Sequence, residues 1–150
     1  MTPDPELLRE ILHRALARYL TVHPQGLVID NSRKPLPVAE ARILAYGGAR
    51  TRYKYRRPVC RSLDAISSIT HPDRRCADCQ ERESCTPQLR LDLILESRPY
   101  RLLLAFTSAR NFLEYVALLQ PKGLALEDSR HRLEVVDRGT WGEIRFDTIS

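Results

Sequence analysis

All four cysteines of the chain fall between residues 60 and 85, spaced Cys60-x15-Cys76-x2-Cys79-x5-Cys85. The stretch that carries most of them, THPDRRCADCQERESC, is too polar to assemble a hydrophobic core, so a cross-link must order it. Tetrahedral zinc needs four soft donors converging on one point. A C-x-x-C turn supplies Cys76 and Cys79 from one loop, and Cys60 and Cys85 close the sphere from the flanks. The same thiolates suit an iron–sulfur cluster, because spacing does not select the metal. Two disulfides need an oxidising compartment, and His71 is an alternative ligand. We read a structural zinc site: four sulfur ligands leave no open coordination position, so the ion holds structure and does not activate water.

The rest of the chain must supply the core around this segment. With 150 residues it is expected to form a single domain. An amphipathic helix over 1–22, a β-rich core over 27–59 and 86–150, and a zinc-binding insertion over 60–85 are its expected parts. The helix follows from Leu7, Leu8, Ile11, Leu12, Ala15, Leu16, Tyr19 and Leu20 at helical spacing, with Asp4 as N-cap and Pro5 as first helical residue. No apolar run approaches the roughly 18 residues that span a bilayer, and the polar start MTPDPELLRE lacks the form of a secretory signal. The expectation is a protein inside the cell, with no membrane partner.

Strands dominate the remainder. Leu27 to Asp30 reads as a short strand, and Val38 to Tyr55 as one long strand or a hairpin bent at Gly47-Gly48. Leu89, Leu91, Leu93 and Leu95 alternate with polar residues, as do Leu102, Leu104 and Phe106, with Ser97-Arg98-Pro99 as the tight connection. Ser108 is placed to cap a helix in which Phe112, Tyr115, Val116 and Leu119 share a face, stopped at Pro121-Lys122-Gly123. A last hairpin turns at Asp137-Arg138-Gly139-Thr140. The expected fold is mainly β with two helices: an OB-like Greek-key barrel carrying an inserted four-cysteine zinc knuckle, with an α+β sandwich as the alternative.

Cys60-Arg-Ser-Leu-Asp64, then Cys76-Ala-Asp-Cys79, then Cys85, followed by two Leu-rich strands and a helix with Phe and Tyr, resembles a group of phage and mobile-element proteins with a C-x-S-x-D … C-x-x-C … C pattern. The resemblance covers roughly residues 57 to 120. It implies a zinc-containing OB fold that binds single-stranded DNA in the cytoplasm of a bacterial or phage-infected cell. Ser62 and Asp64 are expected to orient the knuckle through hydrogen bonds rather than to catalyse.

The segment Arg50-Thr-Arg-Tyr-Lys-Tyr-Arg-Arg57 leads into Cys60 without one acidic side chain, in a chain of formal net charge +5. In a strand, period two places Arg50, Arg52, Lys54 and Arg56 on one face, outward, and Tyr53 and Tyr55 on the other, inward. A row of cations suits a phosphate backbone. Arg57, Arg61 and Arg101 extend the candidate surface, and Trp141, beside the last hairpin turn, is a candidate stacking ring. No P-loop, Cys-His dyad or acidic cluster points to an enzyme. The function expected is non-enzymatic binding of single-stranded nucleic acid, DNA before RNA, with little sequence preference. The alternative is a protein-interaction subunit, docking or self-associating through the N-terminal helix and using the zinc knuckle as an epitope.

Overall fold

A computed structural model describes residues 18–30, 32–54, 57–62, 75–76 and 85–149, with backbone only at 52 and 57–59. The elements in chain order are β1 (Arg18–Tyr19), β2 (Thr21–His23), β3 (Gly26–Val28), β4 (Val38–Lys54), β5 (Arg57–Ser62), β6 (Cys85–Leu95), β7 (Arg98–Leu104), α1 (Phe106–Leu119), β8 (Arg130–Asp137) and β9 (Gly142–Ile149). The fold is mainly β, with one α-helix among the described residues. That helix is not long and apolar enough to cross a membrane. Residues 18–19 and 21–23 are strand, so a helix cannot run to residue 22. The main chain there is committed to the sheet instead: β1 pairs in parallel with β7, and Leu20 N–H donates to Arg101 O at 2.8 Å. The rest of the expected N-terminal helix lies outside the described residues.

The main sheet has seven strands, ordered β1-β7-β6-β4-β8-β9 with β5 also on β4. It is mixed, and it does not close among the described residues. Strands β4, β6 and β7 lie side by side and β8 returns beside β4, so the spatial order β8-β4-β6-β7 is that of a Greek key. The long strand β4 organises it. One edge pairs with β6 from Ala41 to Arg52; the other pairs first with β8, at Val38 to Ala41, and then with β5, at Arg50 to Lys54.

A strand that changes partner must bend, and the bend comes from a register shift between Ile43 and Ala45. It was expected at Gly47-Gly48, but both glycines stay in the ladder, opposite Arg90 and Leu89. Gly47 serves a different need. A Cβ there would stand 3.2 Å from Arg90 Nη2, so the glycine makes room for the guanidinium lying across it.

The hydrophobic core lies on one side of the sheet. Leu91, Leu93 and Leu95 of β6 and Tyr100, Leu102 and Leu104 of β7 supply it by strict alternation. Helix α1 covers this side with Phe112, Tyr115 and Leu119 buried. Phe112 is fully buried, and its ring meets those of Tyr46 and Phe146 edge-on, each at 5.1 Å. A buried ring of this kind stabilises a fold by about 3–5 kcal/mol over alanine. Gly123, in the left-handed region at φ 68°, ends the 3-10 turn that follows α1.

Two details of this region depart from the sequence reading. Helix α1 begins at Phe106 behind Ala105, without a side-chain cap. Ser108 is therefore inside the helix, where its buried Oγ accepts a hydrogen bond from Ile144 N–H at 2.9 Å and ties α1 to β9. Phe106, expected to alternate inward on a strand, is instead 78% exposed.

The β6–β7 turn is also shorter than Ser97-Arg98-Pro99. Glu96 and Ser97 alone make it, both at positive φ (51° and 65°), and Arg98 pairs with Leu95. A two-residue turn of this kind matches the twist of the strands, but its usual glycine or asparagine signal is missing here.

Candidate nucleic-acid interface

The basic stretch occupies the far end of β4, held between β5 and β6. Arg52 is in register with Cys60 on one side and Cys85 on the other. Residues directly opposite each other project from the same face, so two cysteines far apart in sequence reach one level of one face, with Arg52 between them. Two thiolates on one zinc sit about 3.8 Å apart, which lets Cα atoms up to about 9 Å apart share the ion. Two strand spacings amount to about 9.5 Å. The pair therefore sits at the limit for a shared ion, which both thiolates would have to lean inward to reach. Cys60, Cys76 and Cys85 are each half-buried. No group of three metal-ligating side chains is assembled among the described residues, to which Cys79, His71 and Asp64 do not belong. Ser62 is described and buried, opposite Arg50.

The expectation that the tyrosines of RTRYKYRR point inward fails at Tyr53. Thr51 is the fully buried residue; its Oγ1 donates to Gln88 Oε1 at 2.6 Å and accepts from Arg61 Nε at 3.4 Å. Tyr53 is 43% exposed, and its hydroxyl accepts from Gln88 Nε2 at 3.1 Å. Thr51, Gln88 and Arg61 thus form a polar network on this face, and the tyrosine joins it through its hydroxyl.

Arg61 is half-buried in the same network, its guanidinium 4.6 Å from the centre of the Tyr19 ring. Lys54 is exposed and Arg50 half-buried. Arg56 and Tyr55 lie outside the described residues, as do the side chains of Arg52 and Arg57.

Arg101 does not belong to this surface. It is 3% exposed and lies opposite Asp92, with its Nε 3.8 Å from one carboxylate oxygen while Arg90 Nε is 3.2 Å from the other. Its guanidinium neutralises a buried carboxylate, which removes it from reach of a phosphate.

At the opposite end of the molecule, Trp141 closes the β8–β9 turn and is 44% exposed. Glu143 is buried and collects three donors: Arg138, Arg145 and Asn111. The Arg145 bond, reinforced by those from Asn111 and Arg138, holds its carboxyl below the usual carboxylate range.

A second polar group, inside the core, escaped the sequence reading altogether. Buried His131 accepts at Nδ1 from the Tyr115 hydroxyl, 2.5 Å away, and donates from Nε2 to Leu126 O at 2.8 Å. Its only signal in the sequence was a histidine on the inward parity of β8, in step with Leu133 and Val135.

Among known proteins, no family model, no curated protein and no solved structure matches this chain.

Proposed function

We propose that the protein is a non-enzymatic module that binds single-stranded nucleic acid, DNA foremost, on an OB-like scaffold stiffened by structural zinc. One observation carries the reading. Strands β4, β6, β7, β8 and β9, with α1 after the third, run in space β7-β6-β4-β8-β9. An OB fold has this connectivity: a five-stranded, partly open Greek-key barrel that binds through its second and third strands and the loops after its first and fourth. In this chain the unbalanced cations end the first of these strands, and the connection from there to the second carries Cys60, Cys76 and Cys79 and runs into Cys85. The loop after the fourth ends in the sole tryptophan. With Arg101 and Asp92 buried on β6–β7, the two loops and the strand ends beside them carry the contacts. Arg50, Arg52, Lys54, Arg56, Arg57 and Arg61 serve the phosphates, and Trp141 serves a base.

Cys60 and Cys85 fit the zinc reading in being level across β4; Cys76 and Cys79 would complete the set. Bound zinc would cross-link the polar insertion to the strand end. This chain's part is to hold four thiolates around it and to aim the cations before Cys60.

Fluorescence anisotropy of a labelled single-stranded oligonucleotide tests the function. Binding should weaken as salt rises, and Lys54→Ala should flatten the log–log salt slope by roughly 0.7, the share of one phosphate contact. Absence of binding at low salt refutes the reading. Native mass spectrometry before and after chelation tests the metal: a reduced, metal-free and fully folded protein refutes zinc.

The protein-interaction alternative draws support from α1, whose outer face exposes Leu113 (50%) and Leu118 (63%). A defined complex with a protein partner, lost on Leu118→Glu, together with no binding to the oligonucleotide, would establish it instead.

A further inference from the structure

The two most exposed rings among the described residues come from distant parts of the chain and line one cleft. Phe106 opens α1 and Trp141 precedes β9; with Leu103, Leu104 and Val22 they enclose a volume of about 390 Å³. That volume lies within the roughly 300–1,000 Å³ of small-ligand clefts. Rings left 78% and 44% exposed beside an apolar floor offer faces against which a planar apolar group can lie.

The charge next to the cleft identifies that group. Arg138 N–H donates to Trp141 O at 3.0 Å, which seats Arg138 at the other end of the same turn. Arg138 and Arg145 both pair with Glu143, at 3.1 Å each, and their side chains are 41% and 57% exposed against 10% for the carboxylate. Two accessible guanidiniums share one buried carboxylate beside the turn that carries Trp141, with Asp137 in the same turn and Glu134 opposite Arg145.

We propose that this cleft is a nucleotide subsite, in which an unpaired base stacks against Trp141 and Phe106 while its phosphate meets Arg138 and Arg145. The inference rests on the reading of the protein as a single-strand binder and adds to it a defined place for one base. It also brings in Phe106, Arg138 and Arg145, three residues that the sequence reading did not assign to binding. Stacking accepts any base, which suits binding with little sequence preference.

Trp141 is the only tryptophan, so its emission reports on this cleft alone. An unlabelled oligothymidylate is titrated while tryptophan emission is read, and in parallel a labelled copy is followed by anisotropy, for the wild type and for Phe106→Ala. Phe106 is exposed enough that its removal leaves the fold intact, which circular dichroism verifies. The expected result is quenching that saturates with the anisotropy change, and affinity about 5- to 100-fold weaker in Phe106→Ala. Anisotropy binding with unchanged emission and an unaffected Phe106→Ala overturns the subsite and leaves the proposed function standing. No binding at low salt overturns both. A concentration-dependent dimer in sedimentation equilibrium, abolished by Phe106→Ala, also overturns the subsite, because the rings would then be covered by a second copy of the chain.

Discussion

Replacing Tyr115 with phenylalanine removes one oxygen atom and tests the most tightly specified polar contact in the core. The Tyr115 hydroxyl stands 2.5 Å from His131 Nδ1 and 2.9 Å from Thr148 Oγ1, and His131 Nε2 is 2.8 Å from Leu126 O. A carbonyl only accepts, so Nε2 carries the imidazole proton. Nδ1 is then an acceptor, Tyr115 donates to it, and Thr148 donates to Tyr115. Phenylalanine keeps the ring that packs edge-on to His131 and stacks on Phe146. The loss is therefore confined to hydrogen bonding. Thr148 is only half-buried and recovers a bond to water, whereas His131 is fully buried and its Nδ1 is stranded. An unsatisfied buried acceptor costs about 1–3 kcal/mol. We expect Tyr115→Phe to lose about 2 kcal/mol in urea denaturation at pH 7.5 with an unchanged m-value, and roughly 4–8 °C in Tm for a chain of this size. A loss below about 0.5 kcal/mol would show that Nδ1 does not depend on Tyr115, and the proton assignment would fall with it.

The same histidine makes stability depend on pH. Burial holds the His131 imidazole below its ordinary range, partly offset by its bond to the Leu126 carbonyl. Its contribution is complete above the unfolded value of about 6.5 and is lost as pH falls from there through the lower folded value; urea midpoints between pH 7.5 and 5 should drop in the wild type and drop less in His131→Gln. Arg101→Met should cost stability without costing function: about 1–3 kcal/mol from disturbing the pair with Asp92, and unchanged oligonucleotide affinity in the folded fraction, whereas a loss of affinity would return Arg101 to the interface. Gly26 sits at φ 151° with Leu36 backbone atoms 2.4 Å from where a Cβ would stand. Gly26→Ala should therefore destabilise by about 2 kcal/mol or more, and a neutral melt would contradict the packing of the β2–β3 hairpin on Leu36.

Much of the architecture was legible before any coordinates. The alternation of Leu91, Leu93 and Leu95 and of Leu102 and Leu104, the inward face of α1 and the last hairpin all follow from periods of two and 3.6, which are local properties of the chain. Arg101 was misread because its environment depends on a turn. A three-residue connection at 97–99 sets Glu96 opposite Tyr100 and hence Arg101 opposite Leu95. The observed two-residue turn sets Arg98 opposite Leu95 and thereby Arg101 opposite Asp92. Tyr53 was misread for a related reason. Parity assigns residues to faces, but it does not say whether a face is covered by apolar or by polar neighbours.

The candidate site divides along the same line. Its ingredients stood in the sequence: a run of cations without counter-charge, a polar segment with four cysteines in and around it, and a single tryptophan at a turn. Residue chemistry and spacing over a few positions are enough to recognise each of these. The level alignment of Cys60 and Cys85 across Arg52 and the meeting of Phe106 with Trp141 were decided by tertiary structure alone. Each joins residues through strand register or helix docking, and those are set by the packing of the whole core rather than by any window of sequence.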